Sequence, residues 1–335
     1  MALNLYPPSA FDVYNKIKLT YSSDIDAACE EIKKATKGLG TDEKTLIKVL
    51  GDRSPNDRAL IAYRYKEIYN EEMKDLLSSE TSGDFGFLLQ LLAVPLPQAE
   101  CFIIHAATAG AGTTESLLYP IIMGRSNEEM QILRKTYYET YGKDLAVVLD
   151  NELSGDFKKV IMSALQAPVI EYKSSFHTRE KAEEDADKLY KAGEGKWGTD
   201  EEGFLKVLLA SHQSTSSRST RSTSASTRTR SSRPSKGEFT GYAEDALVYF
   251  VRLALEPREM LAELFESTMK GLGTDEKGLC AAIIRFHPYI NQVKSTYQAK
   301  YQTSLKDRIK GELSGDFEDL LLKVIDAPTT APAMA

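Results

Sequence analysis

Apolar side chains recur every three or four residues along most of this chain, a spacing that predicts amphipathic helices. In the first such stretch, Ile25, Ala28, Cys29 and Ile32 share one face of a helix predicted over residues 24–36. A short head with two prolines and three tyrosines, residues 1–22, precedes this helix. We expect the head to lie over the folded body.

Four more helices are predicted before residue 95, and three of them are introduced by a start signal. These signals are N-cap residues, acidic first turns and a proline at the first helical position. The four helices follow Thr41, cover 54–69, cover about 71–79, and follow Gly83. The last of them is apolar on nearly every side, so we expect it to be central and buried.

The same order of helices returns from about residue 98 and again from about residue 258, and no alternation of apolar and polar residues predicts a strand. The pattern therefore predicts an all-α protein built from repeated units. We expect a head (1–22), four repeats of five helices (23–95, 96–168, 169–256 and 257–328) and a loose tail (329–335).

The third unit contains a segment that breaks the pattern. Residues 212–235 are almost entirely Ser, Thr and Arg, a composition typical of a flexible or phosphorylatable linker. The unchanged length of the unit across this tract also fits a helix-coding stretch translated in a shifted reading frame. On either interpretation the tract has no apolar face to bury, so we expect the third unit to be the least stable.

Composition and net charge argue against some classes of function and favour others. The formal net charge of −7 argues against a general nucleic-acid binder, and it would repel the protein from an anionic membrane unless positive charge lay between them. Three cysteines, Cys29, Cys101 and Cys280, lack disulfide or metal spacing and predict reduced core thiols in a cytoplasmic protein. With no secretory leader and no spanning apolar run, we expect any membrane contact to be peripheral.

A glycine turn recurs four times, each time followed at a constant distance by a glutamate. The pairs are Gly38-Leu39-Gly40-Thr41 with Glu80, Gly110-Ala111-Gly112-Thr113 with Glu152, Lys196-Trp197-Gly198-Thr199 with Glu238, and Gly271-Leu272-Gly273-Thr274 with Glu312. The interval from the last glycine to the glutamate is 40, 40, 40 and 39 residues. One copy would fit a simple helix cap, but four copies in register predict a repeated site.

Such a turn is suited to a hard divalent cation. Glycines accept positive φ, so a G-x-G turn directs backbone carbonyls outward with no Cβ in the way. Calcium takes about six to eight oxygen ligands in a flexible geometry. Three carbonyls and one bidentate carboxylate would leave positions for water or for an outside oxygen such as a lipid phosphate, so the site favours bridging.

Sequence motifs then resemble a known family. K-G-L-G-T-D-E at 37–43 and 270–276, A-G-E-G-K-W-G-T-D-E-E at 192–202, and the repeated S-G-D-F look like the endonexin repeat of annexins. The resemblance covers residues 20–328 apart from 212–235. It implies a slightly curved, right-handed superhelical array of four five-helix repeats that binds acidic phospholipid through Ca²⁺.

The resemblance also implies the ligands of each calcium ion, three carbonyls and one carboxylate per repeat. The implied sets are Thr36, Gly38, Gly40 and Glu80; Thr108, Gly110, Gly112 and Glu152; Gly193, Lys196, Gly198 and Glu238; and Met269, Gly271, Gly273 and Glu312. Trp197 stands where the family can expose an aromatic residue to the membrane, although a buried loop anchor fits equally.

By the same resemblance we expect a non-enzymatic cytoplasmic protein that calcium recruits to acidic membranes in membrane organisation, trafficking or repair. We expect a monomer in solution, with assembly on the membrane left open, and a cytoskeletal or other protein partner at the head as an alternative role. An ion channel is a second alternative. Glu100 and Arg125 match charged axial positions of the family, but Pro120 and Ala281 replace others.

Overall fold

The computed structural model describes residues 3–38, 40–110, 112–166 and 241–329, with a few single positions between 178 and 209. In these ranges the chain forms helices and no strand, which confirms the all-α prediction. The chain divides into two compact units. The continuous unit is formed mainly by Ala107–Met260, and the discontinuous unit by Asn4–Ala106 together with Leu261–Met334.

The first repeat contains the five predicted helices. They are α2 (Ser23–Ala35), α3 (Glu43–Gly51), α4 (Pro55–Tyr69), α5 (Met73–Glu80) and α6 (Gly83–Leu92). Side chains cap three of these helices, because Ser22, Asp42 and Ser54 accept backbone N–H groups three residues ahead. Helix α4 ends where Asn70 adopts the left-handed conformation at φ 51°.

The second and fourth repeats follow the same order. The second contains α7 (Leu96–Thr108), α8 (Glu115–Ile122), α9 (Asn127–Tyr141), α10 (Leu145–Glu152) and α11 (Gly155–Gln166). After α12 (Tyr242–Leu255), the fourth contains α13 (Pro257–Met269), α14 (Glu276–Phe286), a 3₁₀ turn (His287–Tyr289), α15 (Ile290–Tyr301), α16 (Leu305–Glu312) and α17 (Gly315–Asp326).

The core of the discontinuous unit is formed by the apolar last helices of the first and fourth repeats. Helix α17 packs on α3 and α6, and α14 also packs on α6. Leu88 and Leu89 of α6 are fully buried, as the sequence predicted for that helix, and so are Leu320 and Leu321 of α17. Each buried leucine stabilises the fold by about 1.5–3 kcal/mol relative to an exposed one.

The continuous unit has an equivalent core, in which α11 packs on α12 and both contact α8. Val160 and Ile161 of α11 are fully buried. Tyr119 and Tyr249 meet edge to face, with ring centroids 5.4 Å apart, the arrangement that the aromatic quadrupole favours. No helix in the described ranges is both long enough and apolar enough to cross a membrane.

The head packs on the discontinuous unit, as expected. Leu5 and Tyr6 are buried, and helix α1 (Pro8–Tyr14) follows them. The Tyr6 hydroxyl donates a hydrogen bond of 2.6 Å to the Glu100 carboxylate, and the Ser9 N–H donates to Asn56 Oδ1 at 3.2 Å. Two contacts more than forty residues apart in sequence therefore hold the head against the body.

Much of the predicted third repeat lies outside the described residues. This holds for the tract 212–235 and for residues 330–335 of the tail. Of that repeat the structure shows helix α12 and a few single positions, among them the buried Leu205. Thr329, at the start of the tail, donates its hydroxyl to the Pro288 carbonyl.

Candidate functional site

The first glycine turn connects α2 to α3 in an open conformation. Gly38 and Gly40 have φ angles of 110° and 88°, which a residue with a side chain rarely adopts. The Asp42 N–H donates to the Ala35 carbonyl at 2.9 Å and closes the base of the loop. Apart from the adjoining residues, no atom lies within 4 Å of the place where a Cβ of either glycine would stand, so the loop projects into open space.

Glu80 lies beside this loop although it is 40 residues away in sequence. It is the last residue of α5 and is half-buried. The Thr41 hydroxyl, directly after the loop, lies 3.2 Å from the Glu80 carboxylate and 3.3 Å from the Glu80 backbone carbonyl. The threonine of the G-x-G-T motif thus brings the carboxylate to the edge of the loop.

The second glycine turn, between α7 and α8, repeats this geometry with one difference. Gly110 and Gly112 have φ angles of 108° and 95°, and the Thr114 N–H donates to the Ala107 carbonyl at 2.9 Å. The Thr113 hydroxyl donates at 3.3 Å to the backbone carbonyl of Glu152, whose side chain is exposed. The backbone of this loop therefore has the same open conformation as the first loop, while the Glu152 side chain is exposed to solvent.

The fourth-repeat turn, between α13 and α14, has the same base. Gly271 and Gly273 have φ angles of 126° and 91°, and the Asp275 N–H donates to the Thr268 carbonyl at 2.7 Å. The Thr274 hydroxyl donates to the Glu312 carboxylate at 2.9 Å. The nearly constant spacing in sequence thus places the glutamate next to the threonine of the turn in all three repeats, and in the first and fourth the threonine bonds to its carboxylate.

The fourth loop also contains a cation that the sequence analysis missed. The Arg308 guanidinium donates both to the Glu312 carboxylate and to the backbone carbonyl of Met269. A signal for the first contact was present, since Arg308 precedes Glu312 by one helical turn on α16. The second contact spans 39 residues and had no local signal.

A second missed feature is the middle residue of the fourth loop. Leu272, between the two glycines, is fully exposed and is the most exposed large apolar side chain in the part of the chain that the structure describes. Its position in G-L-G was visible in the sequence, but the direction of its side chain was not. Residues 193, 196–198 and 238, which include the expected membrane contact Trp197, lie outside the described ranges.

The donor chemistry of the loops fits a cation held by backbone oxygens. Among the described residues, no group of three or more His, Cys, Asp or Glu side chains converges as a metal-binding cluster. Each described loop instead combines a glycine turn with a single glutamate. This donor set is all oxygen, open and flexible, which fits calcium better than it fits zinc or magnesium.

The two charged residues expected at axial positions, Glu100 and Arg125, bond to groups within their own units. Glu100 is fully buried, accepts the Tyr6 hydroxyl and forms an ion pair with the Arg285 guanidinium. The buried Arg125 donates to the Ile121 carbonyl. Neither charge is therefore presented to solvent.

The three cysteines and His287 lie in the packed core. Cys29, Cys101 and Cys280 are free and fully buried, which confirms the prediction of core thiols. Burial raises the pKa of Cys29 to about 12. His287 is fully buried against the Val324 carbonyl, and burial, with a contribution from the Arg58 charge, lowers its pKa to about 3.

Comparison with known proteins identifies the family. The family model "Annexin" matches residues 26–92, 98–164 and 260–324. Annexin A3 of Homo sapiens is 34% identical over 310 residues, which cover 91% of this chain and 93% of that protein. Annexin A7 of Dictyostelium discoideum is 34% identical over 88% of this chain, which spans 64% of the length of that relative.

Solved structures agree with the sequence comparison. Annexin III superposes with a TM-score of 0.83 at 31% identity, covering 92% of this chain and 95% of the other. Calcium-bound annexin (Sm)1 superposes with a TM-score of 0.77 at 25% identity, covering 96% of this chain and 93% of the other. With three matched segments over more than half of its length, this chain belongs to the annexin family.

Proposed function

We propose that this annexin binds Ca²⁺ in its glycine loops and, through the bound ions, the surface of acidic phospholipid membranes. One observation carries the proposal. In all three described loops, two glycines at positive φ project into open space, and a threonine bonds to a glutamate 39 or 40 residues beyond the last glycine. The calcium-bound state of annexin (Sm)1, a similar structure, supports calcium as the ion.

The proposed ligands are three carbonyls and one carboxylate in each loop. For the first loop they are the carbonyls of Thr36, Gly38 and Gly40 with the Glu80 side chain. The equivalent sets are Thr108, Gly110, Gly112 and Glu152; Gly193, Lys196, Gly198 and Glu238; and Met269, Gly271, Gly273 and Glu312. Three carbonyls and a bidentate carboxylate provide five of the six to eight oxygens that calcium takes.

Charge explains why such a site would bridge to lipid. One carboxylate neutralises only half of the charge of Ca²⁺, so the occupied loop remains positive and attracts a phosphate oxygen to an open coordination position. The chain itself carries −7, and calcium would supply the positive layer at the membrane surface. Several weak bridges then add by multivalency.

Leu272 would add an apolar contact to the fourth bridge. It is fully exposed at the tip of the loop, where it would enter the interfacial region of the bilayer once calcium holds the loop at the headgroups. We propose the same role for Trp197 in the third loop. We further propose that the protein is cytoplasmic, monomeric before recruitment, and non-enzymatic.

Co-sedimentation with vesicles tests this function. Phosphatidylserine and phosphatidylcholine vesicles are titrated with calcium, and chelator is then added. We expect binding to the phosphatidylserine vesicles alone, reversed by the chelator. Failure of the folded protein to bind these vesicles at any calcium concentration would overturn the proposal.

Variants test the ligand assignment. Glu80→Gln and Glu152→Gln keep the size of the side chain but remove the charged ligand, so each should raise the calcium concentration needed for half-maximal binding. Glu30→Gln removes the same charge from an exposed position of α2 and should leave the midpoint unchanged. An unchanged midpoint in both loop variants would refute the assignment.

A further inference from the structure

The helix that bears the glutamate has a charged residue in the fourth repeat at a position where the other two described repeats have an apolar one. Helices α5, α10 and α16 each have eight residues and end at the glutamate. Four residues before that glutamate, α5 has Leu76, α10 has Val148 and α16 has Arg308. All three side chains are half-buried and lie one helical turn before the glutamate, on the same side of the helix as that residue.

Arg308 bonds to the two groups that the fourth calcium ion would need. Its guanidinium donates to the Glu312 carboxylate and to the Met269 carbonyl. A guanidinium at these two oxygens takes up part of their acceptor capacity and repels a second cation, so Ca²⁺ binds there less favourably while the guanidinium stays in place. Arg308 therefore satisfies these oxygens in the absence of calcium.

The guanidinium is held in this position by a third contact. Its Nε lies 3.5 Å from the carboxylate of Glu266 on α13, and that carboxylate also accepts the Tyr297 hydroxyl. About a quarter of the Arg308 side chain is exposed, and the Glu266 and Glu312 side chains are still less exposed. Contacts with α13 and α16 thus hold the Arg308 side chain in place before calcium binds, which lowers the entropic cost of keeping it at the loop.

We propose that Arg308 is a tethered cation that competes with calcium for the fourth loop, so that this loop fills only at a higher calcium concentration than the first. The proposal rests on the calcium-binding function proposed above. It assigns Arg308 as a residue that sets the calcium threshold of one repeat, because Ca²⁺ must displace a positive charge from its own ligands before it binds.

The expected loss of calcium affinity depends on the fraction of time during which Arg308 is away from the fourth loop. A ligand that binds one state of a protein has its apparent affinity reduced by the fraction of that state. If Arg308 leaves the loop for about one tenth to one hundredth of the time, calcium affinity falls about 10- to 100-fold. Removal of the guanidinium should restore that factor.

Site-resolved NMR of the full chain with ¹⁵N-labelled glycine tests the proposal with calcium alone as the probe. The amides of Gly40 and Gly273 report the first and fourth loops during a calcium titration. In the wild type we expect the Gly273 midpoint at least about tenfold higher than the Gly40 midpoint. In Arg308→Met, which retains an unbranched apolar stem, the Gly273 midpoint should fall toward that of Gly40, while Gly40 stays unchanged.

A second variant makes the opposite change in the first repeat, so the test does not depend on Arg308→Met being folded. Leu76→Arg places a guanidinium at the equivalent position of the first repeat and should raise the Gly40 midpoint without moving that of Gly273. Glu312→Gln and Glu80→Gln remove the carboxylate and should weaken the response of their own loops. Unfolding midpoints without calcium identify any variant that is not folded, and Arg308→Leu replaces Arg308→Met in that case.

The outcomes separate the two proposals. If Gly40 responds to calcium in a Glu80-dependent way but Arg308→Met and Arg308→Leu leave the Gly273 midpoint unchanged or raised, Arg308 is not a competitor and only this inference fails. A rise would mean that the arginine supports the loop for calcium. If neither glycine responds to calcium in any variant, the calcium function and this inference are both overturned.

Discussion

Replacing Glu100 tests the buried charge network that joins the head to the discontinuous unit. Glu100 is fully buried, accepts the Tyr6 hydroxyl at 2.6 Å and pairs with Arg285, which is 3% exposed. Glu100→Gln keeps the size and shape of the side chain but removes its charge. The guanidinium of Arg285 then stays buried without its carboxylate partner.

The expected cost follows from this burial. Breaking a buried ion pair from one side typically costs about 3–5 kcal/mol, because the remaining charge is not returned to water. Tyr6→Phe removes only the hydrogen bond to the carboxylate and should cost about 1.5–3 kcal/mol. In the Glu100→Gln background the same Tyr6→Phe change should cost less, since a neutral amide accepts a weaker bond of about 0.5–1.5 kcal/mol.

Urea unfolding and calorimetry of the single and double variants provide the measurement. A loss of about 3–5 kcal/mol should lower the melting temperature by several degrees at the least. Glu30→Gln is the matched control, because Glu30 and Lys34 form an exposed pair at 3.7 Å that should contribute less than about 1 kcal/mol. If Glu100→Gln lies within about 1 kcal/mol of the wild type, the Arg285 charge is not left uncompensated in the core and the reasoning is refuted.

Three further predictions concern the loop tip, the buried histidine and the thiols. Leu272→Ala should weaken calcium-dependent vesicle binding about 5- to 30-fold without changing stability, because roughly 1–2 kcal/mol of apolar burial is lost at an exposed position. His287 is neutral in the folded protein down to pH about 3, whereas the unfolded chain protonates near 6.5. Stability is therefore fully present above pH 6.5 and falls by about 2–3 kcal/mol by pH 4.5, a dependence that His287→Gln should remove. Cys29, Cys101 and Cys280 should not react with an aromatic disulfide reagent in the native protein and should all react in denaturant, since they are fully buried and burial raises the thiol pKa of Cys29 to about 12.

Each of these predictions has an outcome that contradicts it. Equal binding of Leu272→Ala and wild type to phosphatidylserine vesicles would exclude an apolar contact at the loop tip. For the histidine, urea midpoints at pH 7.0 and 4.5 are compared between wild type and His287→Gln, so that the carboxylates common to both cancel. An identical pH dependence would show that His287 is not held neutral. Rapid labelling of any native thiol would show that its helix opens.

The secondary structure was predictable because its causes lie within a few residues along the chain. Helices α2 to α6 follow from apolar spacing, from caps such as Ser54 and from Pro55 at the first helical position. The apolar helix α6 was expected to be buried for the same reason, since it has no face that water would stabilise. The placement of Glu80 beside its loop followed from repetition rather than from physics, because only the constant interval linked the two.

Contacts between distant segments required the tertiary structure. The sequence by itself determined the helices, the repeated glycine turns and the register of the glutamates, since each depends on neighbouring residues or on a periodic interval. It did not reveal that Tyr6, Glu100 and Arg285 meet, or that Arg308 bonds to Met269 in the fourth loop. Those contacts form when helices far apart in sequence pack together. Packing therefore decided which charges are buried together and which loop already holds a cation, because burial and Coulomb energy depend on distance in space, and sequence spacing does not specify that distance.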